Sequence, residues 1–490
     1  MKKVYSFAVA LLLIICAFFT SCGGNPTGLS ENPNTNDLVY GNGGIVAIKG
    51  EYLYFINGYQ DSSKFSNYKI DNVEGKVERG AIYRTKLDKD GNVQHDENGF
   101  LTNCDLVVSK TVGFDNGGFY IVGDYIYFLT PHMEKDSDGK LQSSWLDVCK
   151  IKIDGSGKST RLYYTTNNST AFDWSTYIVD NTPYLVVLDG KKLVSINCEN
   201  KKVLTLSEEA TSVAFPEYDK FEYTNSSSKY VYFTRAKNDD DKLSSTFSGN
   251  VVCKVSVTDT DDCESYINNQ NTSTNYKLVK IENDFVYYEV KDINAITYVC
   301  KKNVKEDSFL NATQIQITQG EYSSYLILAQ NLTSSNITKL IGVDKNYQIM
   351  YVTKNDNNAS SFDSKLRYKG SSEIKLIGVQ NDILYFVESN TIYSINILEE
   401  KPEKTLVSNS DKTYKLDVMN LINVVDNKVY VLSTYTPKDS ENKNYYLNVI
   451  TTTKEKDEAQ FLGKFAKNET PANPNDNLEE GEDPILPYIK

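Results

Sequence analysis

The stretch "GDYIYFLTP" at residues 123–131 decides the fold, because it is one copy of a pattern that returns along the chain. An acidic residue or Asn is followed by an aromatic residue, an apolar residue, Tyr and Phe, which is typical of a short β-strand. Close copies are "GEYLYFING" at 50, "SKYVYFTRA" at 228, "NDFVYYEVK" at 283, "NDILYFVES" at 381 and "DNKVYVLST" at 426, and looser copies are "NTPYLVVLD" at 181 and "NYQIMYVTK" at 346. This recurrence predicts a protein built from β-strand repeats.

Each copy sits inside a larger unit. An apolar run precedes it across a Gly, Asn or Asp turn, which predicts a hairpin of two strands. An alternating segment follows after a variable loop, as in "AIYRTKLDKDG" at 81, "DVCKIKIDGSG" at 147, "KLVSINCEN" at 192, "VVCKVSVTD" at 251, "YVCKKNVKE" at 298 and "TIYSINILE" at 391. A fourth run, such as "TRLYYTT" or "KTLVS", often closes the unit.

Four antiparallel strands per unit, with unit starts 34 to 73 residues apart, predict the blades of a β-propeller. The sequence favours eight blades between about Asp37 and Phe465. Seven is the alternative, because the copies at 346 and 381 are only 35 residues apart and could share strands. We therefore predict an all-β propeller domain over residues 37–466.

The N-terminus predicts export. Lys2 and Lys3 precede the apolar run "VYSFAVALLLIICAFF", and Thr20, Ser21 and Cys22 follow it. A charged segment, an apolar run and small residues make up a secretory signal, here residues 1–21. The apolar run is too short for a stable membrane-spanning helix.

Cys22 after the small residues resembles the lipobox of bacterial lipoproteins, although Phe19 stands where that motif usually has Leu. The resemblance implies that the Cys22 thiol is diacylated and that two acyl chains anchor the protein in the membrane. An ordinary signal peptide with Cys22 as a spare thiol is the alternative. Residues 22–36, rich in Gly, Pro, Asn and Ser, predict a flexible tether. The predicted location is the bacterial cell envelope, outside the cytoplasm.

The charge of the chain limits its partners. The formal net charge is −13 for the whole chain and becomes −15 without residues 1–21, which carry two lysines and no acidic residue. A strongly acidic exported protein is a poor candidate for binding nucleic acid through its electrostatic field. The tail 467–490 is acidic and proline-rich, and its composition predicts disorder.

One stretch, "KIDGSGKSTRLYY" at 152–164, contains the Gly-Lys-Ser that ends a phosphate-binding P-loop. That motif needs a first Gly where Lys152 stands, and a helix after Ser159. The β-rich "TRLYYTT" follows instead. We therefore predict a hairpin between the third and fourth strands of blade two, with no nucleotide and no other cofactor bound.

The six mature cysteines suggest three disulfides by number alone, and they are Cys104, Cys149, Cys198, Cys253, Cys263 and Cys300. However, Cys149, Cys253 and Cys300 occupy the position that Tyr83 and Tyr393 hold in other third strands. Equivalent sites in different blades lie too far apart for a disulfide, so we favour buried free thiols. Cys253 and Cys263 are the one pair that a hairpin could join.

No catalytic set stands out. The two histidines, His95 and His132, lie in polar segments and are predicted to be solvated. Trp145 and Trp174 could stack on a sugar, or could be buried in a blade. Four acidic loops could chelate Ca²⁺ but are typical of hydrated hairpin tips, and they are "DKDGNVQHDENG" at 88, "EKDSDGK" at 134, "NDDDK" at 238 and "DTDDCE" at 259. Metal binding therefore stays open.

The repeat resembles that of uncharacterised propeller lipoproteins and, more distantly, of TolB-like and low-density-lipoprotein-receptor-type propellers. Two functions follow as hypotheses. The first is a non-catalytic module that binds a peptide, a glycan or a protein on one face of the ring. The second is an exported hydrolase or lyase with its active site at the central channel. Acidic residues, His or Arg clustered at the channel mouth would favour catalysis, and a neutral, apolar lining would favour binding.

Overall fold

A computed structural model describes residues 43–462, apart from internal segments of which the longest are 58–67, 216–228, 304–312 and 409–421. The predicted signal segment, Cys22, the tether and the acidic tail lie outside the described residues. Within the described part, no helix has the length and apolar character needed to cross a membrane.

The described strands form eight four-stranded antiparallel sheets and one two-stranded ribbon. Blade one contains β1 (Val46–Lys49), β2 (Tyr52–Ile56), β5 (Ile82–Lys86) and β6 (Cys104–Val108), and the ribbon of β3 (Tyr68–Ile70) and β4 (Val73–Gly75) follows its second strand. Blade two contains β7 (Phe119–Val122), β8 (Tyr125–Pro131), β9 (Leu146–Lys152) and β10 (Thr160–Tyr164). Blade three contains β11 (Phe172–Val179), β12 (Thr182–Asp189), β13 (Lys192–Asn197) and β14 (Val203–Ser207).

The remaining sheets repeat this order. Blade four contains β15 (Ser212–Ala214), β16 (Tyr230–Ala236), β17 (Asn250–Ser256) and β18 (Glu264–Ile267), with a short 3₁₀ helix at Asp239–Asp241. Blade five contains β19 (Asn275–Glu282), β20 (Phe285–Lys291), β21 (Thr297–Asn303) and β22 (Thr313–Ile317). Blade six contains β23 (Tyr322–Leu328), β24 (Ile337–Asp344), β25 (Gln348–Asn355) and β26 (Phe362–Lys369).

Two further sheets complete the ring. Blade seven contains β27 (Ile374–Gln380), β28 (Ile383–Glu388), β29 (Thr391–Asn396) and β30 (Thr405–Ser408). Blade eight contains β31 (Ile422–Val425), β32 (Lys428–Tyr435), β33 (Asn444–Thr451) and β34 (Gln460–Leu462). The first strand of blade one contacts the first strands of both blade two and blade eight, so the ring closes around these inner strands. The protein is an all-β propeller.

The hydrophobic core lies between the blades. One cluster joins blade one to Cys149 and Ile151 of blade two and to Tyr430 of blade eight. Similar clusters join blades two and three, three and four, four and five, five and six, and six and seven. Blades one to six therefore bury both faces against their neighbours, which explains why their strands are apolar on both sides.

The predicted division of the repeats was wrong in one place. The copy at 346 was assigned as the second strand of its blade, but it forms β25, the third strand, and β24 is the second. The basis for the seven-blade alternative was wrong as well, since the copies at 346 and 381 lie in different sheets and share no strand. The error arose because "TKLIGVDKNYQIMYV" has the spacing of a first-to-second-strand hairpin. The additional inner strand β23 shifts these segments outward by one position.

The two faces of the ring differ in their connections. Because successive strands are antiparallel, the turns between first and second strands emerge on one face. The loops between second and third strands, together with the links between blades, emerge on the other, which we call the link face. The first-to-second turns use residues with positive φ, at Gly50, Gly123 and the pairs Asp180–Asn181 and Asn381–Asp382. The predicted Gly, Asn and Asp turns are confirmed at these positions.

Candidate functional site

Five polar and aromatic side chains of blade two meet at the link face. His132 follows β8, Trp145 precedes β9, Asp147 lies in β9, and Arg161 and Tyr164 lie in β10. The backbone amide of His132 donates to the Trp145 carbonyl over 2.8 Å, which closes the loop between the second and third strands. We call these five residues the blade-two cluster.

A β-bulge brings Arg161 and Tyr164 together. Arg161 pairs with Cys149 and Tyr164 with Asp147, and the register shifts between Arg161 and Tyr163. Residues three apart in a regular strand point to opposite faces. The extra residue in the bulge places both side chains on the face of Asp147.

The rings of the cluster are stacked. The His132 and Tyr164 ring centroids lie 5.1 Å apart at an interplanar angle of 18°, and those of Trp145 and Tyr164 lie 6.4 Å apart at 20°. The rings of His132 and Trp145 are 5.7 Å apart and tilted by 35°. Tyr164 is 42% exposed and Trp145 is partly exposed, whereas only 3% of His132 is exposed. The result is a group of three neighbouring rings in which Tyr164 and Trp145 reach the solvent and His132 is buried.

A charged edge adjoins the rings. The Nδ1 atom of His132 lies 2.7 Å from Oδ1 of the buried Asp147, and because a carboxylate only accepts, the imidazole donates. The Arg161 guanidinium lies 3.7 Å from the same oxygen and 5.2 Å from the centre of the Tyr164 ring. Arg161 is 37% exposed at its side chain, so donors and an acceptor stand beside an accessible ring face.

Two other carboxylates of the link face, those of Glu388 and Asp241, bind several donors of the protein. Glu388, 3% exposed, accepts hydrogen bonds from Lys404 at 2.8 Å, Tyr368 at 2.7 Å and the Ser371 amide at 2.6 Å. Burial alone would raise the pKa of Glu388, but these hydrogen bonds lower it to about 2. The arrangement ties blade six to blade seven.

Asp241 is engaged in the same way. It binds Arg235 through two hydrogen bonds of 2.8 Å and accepts the Asn238 amide at 2.6 Å. Ser265 also donates to it. Although burial opposes ionisation, these bonds lower the pKa of Asp241. This carboxylate fixes the link-face loop of blade four.

The inner strands around the channel carry few ionisable residues. Across the eight first strands, the carboxylates are Asp173 and Glu282, and the cations are Lys49, Lys277, Lys280 and Lys375. None of these strands contains His or Arg. Asp173 accepts the amide of Trp174 at 2.9 Å. The sequence of the inner strands is therefore mainly apolar and neutral.

The histidine prediction was wrong for His132, which is buried against Asp147 rather than solvated. His95 is half-buried in the third-to-fourth-strand loop of blade one and pairs with Leu101 through a β-bridge. Of the two tryptophans, Trp174 is buried and packs edge-on against Tyr120 at 4.8 Å, and Trp145 is partly exposed. The structure thus retains the sugar-stacking alternative only for Trp145.

The hairpin prediction for residues 152–164 is confirmed. β9 and β10 flank a turn in which Gly155 and Gly157 have φ of 69° and 79°, and the Asp154 carboxylate accepts the Ser156 amide at 2.8 Å. The strand β10 (Thr160–Tyr164), and not a helix, directly follows Ser159. The structure that a P-loop requires is therefore missing from this described stretch.

The thiol prediction is confirmed where the structure describes it. None of Cys104, Cys149, Cys198, Cys253 and Cys263 forms a disulfide bond, and all of them except the exposed Cys263 are buried. The alternative pair of Cys253 and Cys263 is not bonded. The side chain of Cys300 lies outside the described residues. Burial raises the pKa of Cys198 and of Cys253 to about 12.

The acidic loops use their carboxylates internally. Asp88 accepts the amides of Asp90 and Asn92, both at 2.8 Å, and the hydrogen bond from the Asn92 amide is the main cause of its lowered pKa. Asp259 accepts the Asp261 amide at 3.0 Å. The loop at 134 lies almost entirely outside the described residues. Within the described part of the chain, no group of three metal-ligating side chains converges.

The sequence did not reveal a cation that recurs on the third strand, buried at Arg84 and partly buried at Lys150 and Lys254. Arg84, Lys150 and Lys254 pair with the second tyrosine of the "Tyr-x-Tyr" in β2, β8 and β16, namely Tyr54, Tyr127 and Tyr232. Each cation lies over the first tyrosine of its motif, with distances to the ring centre of 4.2, 4.5 and 4.7 Å. The signal was present as Tyr-Arg or Cys-Lys in the third-strand repeat.

Comparisons with known proteins add only a general likeness in fold. No family model matches the chain, and no curated protein matches it in sequence. A structure from a study of two prolyl endopeptidases is similar, with 13% identity, a TM-score of 0.40, and coverage of 80% of this chain and 55% of that chain. A puromycin-hydrolysing peptidase of Mycobacterium tuberculosis is also similar, with 9% identity, a TM-score of 0.41, and coverage of 70% of this chain and 52% of that chain.

The WD40 domain of SCAP from fission yeast is also similar, with 12% identity, a TM-score of 0.29, and coverage of 58% of this chain and 67% of that domain's chain. This chain spans about half the length of the two peptidases. At these identities and TM-scores the likeness carries no argument about activity.

Proposed function

We propose that this chain is a bacterial lipoprotein whose propeller, held outside the cytoplasm by an acylated Cys22, binds a ligand through the blade-two cluster. The observation that carries the binding role is the stacked pair of the exposed Tyr164 and the partly exposed Trp145 beside the charged edge of Asp147 and Arg161. Aromatic surfaces with a few convergent polar groups are characteristic of ligand sites.

The inner strands support binding over catalysis. A hydrolase or lyase at the central channel needs acid, base or nucleophile groups at its mouth. The inner strands carry two carboxylates and neither His nor Arg. The charged groups of the cluster, Asp147 and Arg161, instead lie on the third and fourth strands of blade two, away from the inner strand β7.

A combined peptide and glycan array tests the binding role. The probe is the full lipoprotein extracted in detergent, in its parent form and as Tyr164→Ala. Tyr347→Ala is the control, because Tyr347 is a tyrosine with a similar exposure, 40%, in the turn between the second and third strands of blade six on the same link face. We expect the parent and Tyr347→Ala to bind the same spots, and Tyr164→Ala to lose at least tenfold in signal. Binding that is equal in all three proteins would refute the site.

The anchor is tested separately. Cys22→Ala removes the thiol that would be acylated, so the protein should leave the membrane fraction and lack the mass of the acyl chains. If Cys22→Ala stays in the membrane fraction and differs in mass from the parent only by the substitution itself, Cys22 is not lipidated.

A further inference from the structure

The chemistry of the blade-two cluster narrows the ligand, on the condition that the binding role proposed above holds. We infer that the ligand is a neutral saccharide, with one pyranose ring stacked on Trp145 and Tyr164 and its hydroxyl groups bound by Asp147 and Arg161. The inference rests on ring geometry, on the pairing of an acceptor with a donor, and on charge.

The ring geometry suits a flat ligand with apolar C–H faces. Trp145 and Tyr164 are within 20° of parallel, and their centres are 6.4 Å apart. An aromatic face carries partial negative charge, and the axial C–H bonds of a pyranose carry partial positive charge, so the two faces attract each other. The buried His132 ring stacks on the Tyr164 ring, with the centroids 5.1 Å apart, and so restricts the orientations that Tyr164 can adopt.

The polar edge suits hydroxyl groups. A hydroxyl both donates and accepts, whereas a carboxylate only accepts and a guanidinium only donates. Asp147 and Arg161 stand 3.7 Å apart, so neighbouring hydroxyls of one sugar could donate to the former and accept from the latter. The hydrogen bond from His132 holds Asp147 in position for this role.

The charges of the site favour a neutral ligand. An anionic ligand would be repelled by Asp147 and by the net charge of −13 on the chain. A cationic ligand would be repelled by Arg161. A neutral sugar suffers neither repulsion and uses both groups. A peptide is the competing ligand, since β10 is the outer edge strand of its sheet and could pair with an added strand.

The two tryptophans provide a direct reporter. Trp145 and Trp174 are the only ones in the chain, and Trp174 is buried in the interface between blades two and three. In the full protein, Trp174→Phe leaves Trp145 as the sole tryptophan, and Trp145→Phe leaves Trp174. We propose titrating both variants with cellotetraose, xylotetraose, mannotetraose and maltotetraose, and with the acidic tetragalacturonate, while following tryptophan fluorescence.

We expect at least one neutral tetrasaccharide to change the emission of the Trp145-only protein and none to change that of the Trp174-only protein. Adding Tyr164→Ala or Asp147→Asn to the Trp145-only protein should raise Kd at least tenfold, and Tyr347→Ala should change it less than twofold. Unchanged thermal unfolding of each variant serves as the folding control. Tetragalacturonate should not bind.

The outcomes separate this inference from the broader proposal. Tyr164-dependent binding of peptides or acidic glycans on the array, with no response to the neutral tetrasaccharides, would overturn the saccharide and leave the binding role intact. If neutral sugars bind and Tyr164→Ala does not weaken that binding, both the saccharide inference and the binding role of the blade-two cluster are wrong. If neither the array nor the titrations show binding that depends on Tyr164, both hypotheses are also wrong.

Discussion

The Lys150 ammonium donates a hydrogen bond of 2.6 Å to the backbone carbonyl of Cys198, and so joins the third strand of blade two to the turn that follows the third strand of blade three. Its stem passes Tyr125, with the ammonium 4.5 Å from the ring centre. The neighbouring Tyr127 is 1% exposed, and burial raises the pKa of its hydroxyl. A partly buried cation thus connects two blades.

Replacing this cation should weaken the interface. Lys150→Met keeps most of the apolar stem and removes the hydrogen bond and the cation–π contact, so we expect a loss of about 1–3 kcal/mol in the free energy of unfolding. Lys152→Met is the control, because Lys152 lies two residues further along the same strand and is exposed. Urea denaturation that gave equal midpoints for both variants would contradict this role of Lys150.

The turn between β9 and β10 should tolerate changes very unequally. A Cβ at Gly155 would lie 2.9 Å from the Val107 carbonyl oxygen, whereas a Cβ at Gly157 would meet nothing within 4 Å. Both residues have positive φ, so each Ala variant should cost about 1–2 kcal/mol in backbone strain. Gly155→Ala should lose a further 1–3 kcal/mol or so through overpacking.

Lys158 is the matched control in that turn because it is exposed. Lys158→Ala should change stability by no more than about 0.5 kcal/mol. Thermal unfolding compares the three variants, and calorimetric titration with Mg-ATP should show no binding to the parent. Micromolar affinity for ATP that Lys158→Ala abolishes would restore the nucleotide interpretation.

The cysteines should divide into one reactive thiol and several protected ones. Cys263 is exposed, and Cys104, Cys149, Cys198 and Cys253 are buried. An alkylating reagent should therefore label Cys263 in the native protein and the four buried thiols only after denaturation without reductant. Mass spectrometry of the labelled peptides checks this division. If one of the four buried thiols stays unlabelled after denaturation and reductant restores its labelling, it forms a disulfide. If reductant does not restore the labelling, the thiol carries another covalent modification.

Glu388 should contribute to stability in a defined range of pH. Its pKa is lowered from 4.5 to about 2, so the folded state favours the ionised form. The resulting stability is fully present above pH 4.5 and is lost as the pH falls through 2. Glu388→Gln should therefore cost roughly 2 kcal/mol at pH 7, with a difference from the parent that shrinks below pH 4.5.

Glu373→Gln is the control for this pH series, because Glu373 is exposed and precedes the same hairpin. Its stability should follow that of the parent at every pH. Chemical denaturation between pH 2 and pH 7 measures both variants. A constant difference between Glu388→Gln and the parent over this range would mean that the carboxylate contributes through packing and not through its charge.

The sequence alone determined the strand repeat, the propeller, the β9–β10 hairpin and the free thiols. These features depend on local alternation of apolar residues and on comparison between copies, which are visible along the chain. Cys149 and Cys253 could be assigned as buried because a tyrosine holds their position in other blades. The same local reasoning assigned the copy at residue 346 to the wrong strand of its blade. Strand order within a sheet depends on pairing partners, which the local pattern does not specify.

Only the tertiary structure decided the candidate site. His132 and Asp147 are separated by a variable loop, and Tyr164 lies on the fourth strand of the blade, so no spacing in the sequence relates them. The bulge between Arg161 and Tyr163 turns Tyr164 to the face of Asp147, and a one-residue shift of this kind reverses the direction of a side chain. Burial of a histidine or exposure of a tryptophan depends on what packs against it, and that is determined only when the strands of the blade pair.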